Sequence, residues 1–227
     1  MITTVIFDLD DTLYDELEYC RSGFAAVAEF LVARDAASTT ERVFDALWGQ
    51  FTAGNRSRTF NAALDKLGID RQESTISELV NTYRSHVPAI VLPPDSGEVL
   101  RELSEKYTLG LLTDGFLPAQ QLKVEALGIE KYFESIVYTE QLGRDCWKPS
   151  PAGFERILQD LRARPENAVY VADNELKDFI APNSLGFVTV QLLRPARIRT
   201  STCARSGASA THVIGQITRL PALLDAL

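Results

Sequence analysis

The stretch TTVIFDLDDTLYDE, residues 3–16, decides the fold of this chain. A short apolar run at 5–7 ends abruptly in three carboxylates, Asp8, Asp10 and Asp11. Apolar runs of this length, bounded by polar residues, are typical of a strand that is buried on both faces. Carboxylates this close repel one another, so their gathering favours a cation or a reaction at this point. A surface turn, a metal site and a nucleophile with its helpers are the three interpretations open at this stage.

Similar apolar runs recur along the chain and predict a sheet. Helical patterns lie between the later runs, at 117–127, 150–162 and 175–185, and a closing helix follows the last run. This alternation predicts an α/β fold, a Rossmann-like parallel sheet with helices on both faces. The further predicted strands are 109–112, 136–138, 169–171, 188–190 and 212–214.

Residues 14–92 interrupt the alternation of strand and helix. They contain helical patterns but no convincing strand, and prolines 93 and 94 mark the return to the sheet. We therefore predict a helical cap domain at 14–92, inserted into a catalytic core formed by 1–13 and 93–227. The predicted cap helices lie near 16–34, 39–53, 58–67 and 73–86, and residues 194–210 are expected to form a flexible connection.

Composition limits the class of protein. The chain has 227 residues, 45% of them hydrophobic, which is enough for a substantial core, and its net charge of −8 argues against a nucleic-acid partner. The three cysteines show no metal-binding spacing and indicate free thiols in a reducing compartment. No apolar run approaches the ~20 residues of a membrane span, and the N-terminus lacks a signal-peptide pattern. We expect a cytoplasmic monomer or homodimer with no membrane partner.

Polar residues follow four of the predicted strands. Ligands of an open parallel sheet bind outside the carboxyl ends of its strands, so these residues are expected to surround one crevice. They supply carboxylates, a hydroxyl group and an ammonium group, and their convergence from distant segments is more informative than any one of them. In chain order, the residues are Asp8, Asp10, Thr113, Asp114, Gly115, Lys148, Asp173 and Asp178.

These four segments resemble the motifs of the haloacid dehalogenase superfamily. The chain has a DxDxT pattern at 8–12, an apolar run ending in Thr113, a Lys-Pro pair at 148–149 and an acidic motif at 173–178. Nearly the whole chain fits, and the helical stretch after the first motif is similar to the helical type of cap in that family. Two positions depart from the usual pattern: Ala172 replaces a glycine, and Glu175 stands where proline is common.

The resemblance implies a Mg²⁺-dependent phosphatase that acts through an aspartyl-phosphate. Asp8 would be the nucleophile, and Asp10 would be the general acid and base. Mg²⁺ would bind an Asp8 oxygen, the Asp10 backbone carbonyl and Asp173. Lys148 would neutralise charge on the nucleophile and the phosphate, and Asp178 would anchor Lys148 or a metal-bound water.

The phosphoryl oxygens that are not transferred would be held by Thr113 and by the backbone N–H groups of Asp114 and Gly115. Asp11 is interpreted as a polar loop residue without a catalytic role. We expect the first strand to end at Asp8 and the chain to curl there, so that the carboxylates of positions 8 and 10 face the same phosphate.

The pattern favours phosphoryl transfer over the other reactions of the superfamily. Its dehalogenating members typically lack the second carboxylate, which is present here as Asp10. A phosphonatase would need a cap lysine, and Lys66 is interpreted as a surface residue instead. Two alternatives stay open, a phosphosugar mutase with the same core and a catalytically vestigial regulatory or binding protein. The expected partner is a small phosphorylated metabolite: a sugar phosphate, a nucleotide or a phospho-acid.

The segment TAGNRSRTF, residues 52–60, is positively charged in an otherwise acidic chain. One hypothesis is that Arg56 or Arg58 binds the non-phosphate end of the substrate. The alternative, solvated arginines on a turn between helices, is equally open. Tyr14, Tyr19 and Trp48 are interpreted as core residues, because aromatic residues at helical spacing more often pack inside a protein.

Overall fold

The computed structural model describes residues 1–34 and 38–227 of the chain. It divides into two compact units. The core unit comprises Met1–Leu17 and Val91–Leu227, and the helical unit comprises Glu18–Ile90. Among the described residues, no helix combines the length and the apolar character that crossing a membrane requires.

The core unit is built on a parallel sheet of six strands. They are β1 (Thr4–Phe7), β2 (Thr108–Thr113), β3 (Ser135–Tyr138), β4 (Ala168–Ala172), β5 (Val188–Leu192) and β6 (His212–Ile214). Their spatial order is β3-β2-β1-β4-β5-β6, and Phe7 pairs in register with Leu111 on one side and Val171 on the other. The carboxyl end of β1 therefore lies between those of β2 and β4, where the strand order reverses and ligands of such sheets bind. The predicted fold class is confirmed.

The helical unit consists of α1 (Glu16–Arg34), which begins at the end of the first core segment, α2 (Thr40–Thr52), α3 (Thr59–Leu67) and α4 (Glu73–Ser85). Its interior is aromatic. The buried Phe24 ring lies with its centroid 5.3–6.4 Å from the rings of Trp48, Phe51, Phe60 and Tyr83. Offset and edge-to-face aromatic contacts of this kind stabilise a core beyond the area they bury. Tyr19 is buried beside Tyr83, which confirms its interpretation as a core residue.

The helices of the core unit are α5 (Pro94–Ser104), α6 (Ala119–Leu127), α7 (Ala152–Leu161), α8 (Ile180–Leu185) and α9 (Leu220–Leu224). The sequence analysis did not predict α5, and its helix at 175–185 was wrong for the first five residues. There the chain forms a turn, in which the Asp178 N–H donates to the Asn174 carbonyl (2.9 Å) and the Asp178 carboxylate accepts from the Asn174 N–H (3.0 Å).

The connection at 194–210 contains no regular element, but it is anchored at its start. The buried Arg194 guanidinium donates to the carbonyls of Thr12 (2.9 Å) and Leu13 (3.3 Å) and to the Ser96 hydroxyl (2.5 Å). The prediction of a simple flexible connection is therefore incomplete. Composition indicated an irregular segment, and it could not indicate that one arginine fixes its beginning.

Candidate active site

The chain curls immediately after β1. The strand ends at Phe7, one residue earlier than expected, and the N–H groups of Thr12 and Leu13 both donate to the Leu9 carbonyl (3.3 and 3.0 Å). Asp11 adopts a left-handed conformation with φ of 55°, which short polar residues tolerate better than most. As a result, the side chains on both sides of Leu9, from Asp8 and Asp10, line the same cavity.

This cavity lies in the core unit at the carboxyl edge of the sheet and has a volume of about 340 Å³. Several of the predicted site residues meet here. The lining residues are Asp8, Asp10, Asp11, Glu16, Asp114, Trp147, Lys148, Asp173, Asn174, Leu176, Lys177 and Arg199.

A buried lysine joins two of the carboxylates. Lys148 Nζ lies 2.7 Å from Asp8 Oδ1, 2.7 Å from Asp178 Oδ1 and 2.9 Å from the Tyr170 hydroxyl. Burial alone disfavours its charge, but Asp178 and Asp8 raise the pKa of Lys148 well above its ordinary value. Burial also raises the pKa of Asp8, to about 6, and Lys148 counteracts that rise. The predicted contact between Asp178 and Lys148 is present in this geometry.

Asp173 is the feature of the cavity that suggests a cation. Its carboxylate is buried, and Oδ2 has no hydrogen-bond partner among the described residues. Carboxylate oxygens of Asp8, Asp173 and Asp178 lie within 4.8 Å of one another. Burial, together with the charges of Asp178 and Asp8, raises the pKa of Asp173 to about 9. A buried, unpaired carboxylate beside two others fits a hard cation such as Mg²⁺, which prefers oxygen ligands.

Ala172 and Glu175, the two departures from the family pattern, lie at the end of β4 and in the loop that follows it. Ala172 is the fully buried last residue of β4. The Glu175 carboxylate accepts the N–H of Cys203 (3.2 Å), so it contacts the 194–210 connection.

Gln120 contacts the end of β2 and the segment that follows it. Thr113 Oγ1 accepts from the Gln120 amide (2.6 Å), and the Asp114 carboxylate accepts from the Thr139 hydroxyl (2.8 Å) and the Lys148 N–H (3.2 Å). Gly115 has a φ of +145°, and a Cβ there would lie 2.7 Å from the Gln120 side chain, so glycine is required. Asp114 lines the cavity, whereas Thr113 and Gly115 are not among its lining residues.

Asp10 is surrounded by donors that the sequence analysis missed. Oδ1 accepts from the Tyr14 hydroxyl (2.5 Å) and Lys123 Nζ (2.7 Å), and Oδ2 accepts from the Gln120 amide (2.9 Å) and Lys123 Nζ (3.0 Å). Burial works against ionisation of Asp10, but Lys123 and these hydrogen bonds lower its pKa below the ordinary value. The available signal was the spacing of residues 120 and 123, which are neighbours on one face of a helix that starts beside the end of β2.

Asp11 lies in a loop, as predicted, but it is not exposed there. It is buried, Oδ1 accepts from the Glu16 N–H (2.9 Å), and Oδ2 accepts from the Ile198 N–H (2.6 Å). Burial raises its pKa. Its carboxylate therefore joins the first loop to the 194–210 connection, because both of its oxygens serve backbone donors.

Four further residues at the cavity were not singled out from sequence. Lys177 Nζ lies 3.5 Å from the carboxylates of Asp114 and Asp178, and Arg199 comes from the 194–210 connection. Trp147 donates to Glu140 (3.1 Å), and burial together with the charge of Asp10 raises the pKa of Glu16 to about 7. Glu16, Trp147 and Arg199 lie outside the four motifs, and Lys177 lies within the motif at 173–178, in which only the two aspartates were assigned a role.

Arg56 and Arg58 lie in the helical unit and are exposed. The Arg56 guanidinium lies 5.5 Å from the centroid of the Phe51 ring. Arg58 precedes α3 and lines a polar surface cavity with Asn61 and Asp65.

Comparison with known proteins agrees with the geometry. A family model for haloacid dehalogenase-like hydrolases matches residues 2–186. The chain is 30% identical to the glyceraldehyde 3-phosphate phosphatase of Methanopyrus kandleri, over 86% of this chain and 85% of that protein. It is 27% identical to the ribulose-1,5-bisphosphate 5-phosphatase of Halopiger xanaduensis, over 84% of each protein.

Solved structures show the same fold. The putative HAD-hydrolase YfnB from Bacillus subtilis, whose crystal contains magnesium, superposes with a TM-score of 0.70 at 18% identity, covering 99% of both chains. A 2-haloacid dehalogenase from Pseudomonas syringae gives a TM-score of 0.68 at 24% identity, covering 100% of this chain and 99% of that one. The match to the family model extends over most of the chain, and it agrees with the motifs read from the sequence. The chain belongs to the haloacid dehalogenase-like hydrolases.

Proposed function

We propose that this protein is a Mg²⁺-dependent phosphatase that hydrolyses a small phosphorylated metabolite through an aspartyl-phosphate on Asp8. Two features of one cavity carry the proposal: a lysine 2.7 Å from Asp8, and the buried Asp173, whose Oδ2 has no hydrogen-bond partner in the part of the chain that the structure describes. A phosphoryl group needs positive charge around its oxygens and a nucleophile beside them, and this arrangement offers both. The names of the two relatives as phosphatases support the same reaction class.

The reaction proceeds in two steps. In the first, an Asp8 oxygen attacks phosphorus, the bond from phosphorus to the leaving alcohol breaks, and Asp10 gives that alcohol a proton. Asp10 carries this proton only in the substrate complex, where the negative charge of the phosphoryl group opposes the lowering of the Asp10 pKa by Lys123. In the second, Asp10 takes a proton from a water molecule that attacks the aspartyl-phosphate, which releases inorganic phosphate and restores Asp8. Lys148 holds the other Asp8 oxygen, so the nucleophile keeps one orientation throughout.

The carboxylates of Asp8 and Asp173, with the Asp10 backbone carbonyl, would hold the Mg²⁺ ion. When bound, the ion neutralises charge on the phosphoryl oxygens and on the carboxylates around them. Asp178 fixes Lys148 together with Asp8, since its own carboxylate is occupied by Lys148 and the Asn174 N–H.

The non-transferred phosphoryl oxygens are assigned to Thr113 and to the N–H groups of Asp114 and Gly115. The absence of a side chain at Gly115 leaves its N–H open to close approach. Thr113 Oγ1 accepts a hydrogen bond from the Gln120 amide (2.6 Å), and its hydroxyl donates only a long bond to the Asp114 carbonyl (3.5 Å), which a phosphoryl oxygen would replace.

The substrate class follows from the rest of the cavity. Lys177 and Arg199 supply positive charge, while Trp147 and Leu176 supply apolar surface. A volume of about 340 Å³ suits a small ester such as a sugar phosphate or a phospho-acid. Arg56 or Arg58 of the helical unit is the proposed contact for the non-phosphate end of that ester.

The test is hydrolysis of p-nitrophenyl phosphate and of a panel of sugar phosphates, nucleotides and phospho-acids, with Mg²⁺ and with a chelator. We expect turnover that requires Mg²⁺ and that falls by roughly a thousand-fold or more in Asp8→Asn. Asp160→Asn, on the exposed end of α7, is the matched control and should retain wild-type activity. Metal-independent turnover, or turnover that survives Asp8→Asn, would overturn the proposal. No turnover at all would favour a regulatory or binding protein.

A further inference from the structure

The strongest unassigned feature of the core unit is the set of donors around Asp10. Both carboxylate oxygens are occupied, Oδ1 by Tyr14 and Lys123 and Oδ2 by Gln120 and Lys123. The four donor–acceptor distances lie between 2.5 and 3.0 Å. A carboxylate held from several directions has one orientation rather than a set of rotamers.

Placing these donors inside the protein is costly. Lys123 is 3% exposed and Gln120 is 2% exposed, although both sit on a helix whose other buried residues are mostly apolar. Taking an ammonium group out of water costs several kcal/mol. The attraction to a carboxylate partner offsets this cost only when the two groups are close and well oriented. Replacing a whole buried ion pair by apolar side chains is often neutral for stability, so the presence of this buried lysine and glutamine points to a functional need at Asp10.

Gln120 also connects Asp10 to the segment that follows β2. Its amide donates to Asp10 Oδ2 and to Thr113 Oγ1, and its side chain occupies the space beside Gly115. One glutamine therefore sets the position of the Asp10 carboxylate relative to the proposed phosphate-binding hydroxyl.

We infer that Lys123, together with Gln120 and Tyr14, is a positioning residue that fixes the Asp10 carboxylate for proton transfer to the leaving alcohol and from the attacking water. The inference rests on the proposed function, in which Asp10 is the general acid and base. Lys123 itself touches neither the phosphate nor the leaving group in this role. It acts through Asp10, and this makes a specific kinetic prediction.

The prediction concerns the leaving group. An alkoxide is a poor leaving group and needs a proton from Asp10, whereas p-nitrophenolate is stable near neutral pH and leaves without one. A variant that misplaces Asp10 should therefore be impaired toward alkyl phosphates and nearly normal in its first step with p-nitrophenyl phosphate. The second step uses Asp10 as a base with both substrates, so hydrolysis of the aspartyl-phosphate should become slow.

The experiment compares wild type and Lys123→Met on p-nitrophenyl phosphate and on the alkyl phosphate that the panel identifies as best. We expect kcat/KM to fall at least about 100-fold for the alkyl ester and less than about 5-fold for the aryl ester. Rapid mixing with p-nitrophenyl phosphate should show a burst of nitrophenolate in the variant, because the second step has become limiting. Equal losses on both esters, without a burst, would overturn the inference.

Three further variants keep the test decisive. In an Asp10→Asn background, Lys123→Met should cost less than about 3-fold, because residues that act through one another are not additive. Val124→Ala removes buried methyl groups one residue along the same helix and should affect both esters equally. If Lys123→Met does not fold, Tyr14→Phe, which loses only the hydroxyl, should show the same preference for the aryl ester; equal losses there would also contradict the inference.

Failure of this inference is distinguishable from failure of the proposed function. If wild type hydrolyses neither ester, or if Asp8→Asn is as active as wild type, the phosphatase assignment fails and the role of Lys123 fails with it. If wild type is an Asp8-dependent phosphatase and Lys123→Met loses activity uniformly, only the positioning role is wrong.

Discussion

The core unit and the helical unit bury different kinds of side chain, charged groups in the first and aromatic rings in the second. In the core unit, Asp8, Lys148 and Asp178 are all buried, and the lysine ammonium group lies 2.7 Å from a carboxylate oxygen of each aspartate. In the helical unit, the interior is a cluster of aromatic rings around Phe24, and the ion pairs Arg34–Glu78 and Arg71–Asp65 lie about half exposed at the surface.

These two kinds of interior contribute differently to the stability of the fold. Buried charges usually contribute less to stability than well-packed apolar groups of the same volume, whereas a buried aromatic cluster stabilises a fold directly. The core unit, whose interior contains these buried charges, is the unit in which phosphoryl transfer is proposed. The comparison predicts that substitutions in the core unit change activity by orders of magnitude, and that those in the helical unit act mainly on stability or substrate affinity.

The largest effect is expected for Lys148→Met. Removing the lysine leaves the buried Asp8 without its 2.7 Å counter-charge and leaves Asp178 with the more distant Lys177, 3.5 Å away, which costs about 3–5 kcal/mol of unfolding free energy. Activity should fall by roughly a thousand-fold or more, because both the nucleophile and the phosphate lose their counter-charge. Denaturant unfolding and turnover of p-nitrophenyl phosphate measure the two effects. Lys106→Met, at an exposed pair with Glu102 on the same unit, should leave both unchanged; a comparable loss there would break the comparison.

Asp173→Asn should separate activity from stability. The change should reduce Mg²⁺-dependent turnover at least about 100-fold, since the proposed metal site loses a charged ligand. In metal-free protein, however, it should raise Tm by about 2–4 °C or more, because it removes a buried carboxylate whose Oδ2 has no hydrogen-bond partner at residues 1–34 or 38–227. Mg²⁺ should raise Tm in wild type and have little effect on the variant. A lower Tm for the metal-free variant would contradict this account.

The pH dependence of that difference has a definite sign. The pKa of Asp173 is raised from 3.8 to about 9 in the folded protein, so the folded state binds more protons than the unfolded state within that window. Below pH 3.8 the carboxyl group is protonated in both states and does not oppose folding. As the pH rises from 3.8 toward about 9, its ionisation in the unfolded state increasingly favours unfolding. The Tm advantage of Asp173→Asn over wild type in chelator should accordingly grow from pH 5 to pH 8, and a constant difference would argue against the burial of an unpaired carboxylate.

In the helical unit, Gly23→Ala should lower stability and spare chemistry. A Cβ at this position would lie 2.5 Å from Tyr83 Cε2, so the aromatic cluster must shift. We expect a loss of about 1–3 kcal/mol, measured by denaturant unfolding, with kcat for p-nitrophenyl phosphate within a few-fold of wild type. Gly49→Ala is the matched control, because nothing lies within 4 Å of its Cβ. That exposed helical position should gain about 0.5–1 kcal/mol instead.

The smallest effects are expected for Arg56→Ala and Arg58→Ala. If either arginine binds the non-phosphate end of the substrate, KM for the best metabolite should rise about 10-fold while p-nitrophenyl phosphate kinetics stay unchanged. Steady-state kinetics on both substrates provide the measurement. Unchanged KM in both variants would leave the arginines as solvated surface residues and would assign selection of the substrate to the core unit.

Much of this molecule was predictable from local sequence. The six strands follow from short apolar runs, and the helices of the helical unit follow from apolar periodicity, within one or two residues of their observed ends. The residues at the ends of β1, β2 and β4 were identified because parallel strands deliver their following residues to one edge. The late start of α8 was missed because local contacts, such as those between Asn174 and Asp178, compete with helical periodicity. Helix α5 was missed because prolines 93 and 94 were interpreted only as a boundary, although proline is common in the first turn of a helix.

The sequence by itself determined the fold class, the family and the set of carboxylates and lysine at the edge of the sheet. Only the tertiary structure decided which partner each group has. Lys123 reaches Asp10 across 113 positions, and Arg194 reaches Thr12 across 182. The physical reason is that periodicity and motif spacing describe neighbours along the chain, whereas these contacts depend on strand order and on the curl after β1. Asp11 is adjacent in sequence to Asp10, the proposed general acid, but its carboxylate accepts hydrogen bonds from the backbone N–H groups of Glu16 and Ile198, which only the tertiary structure reveals.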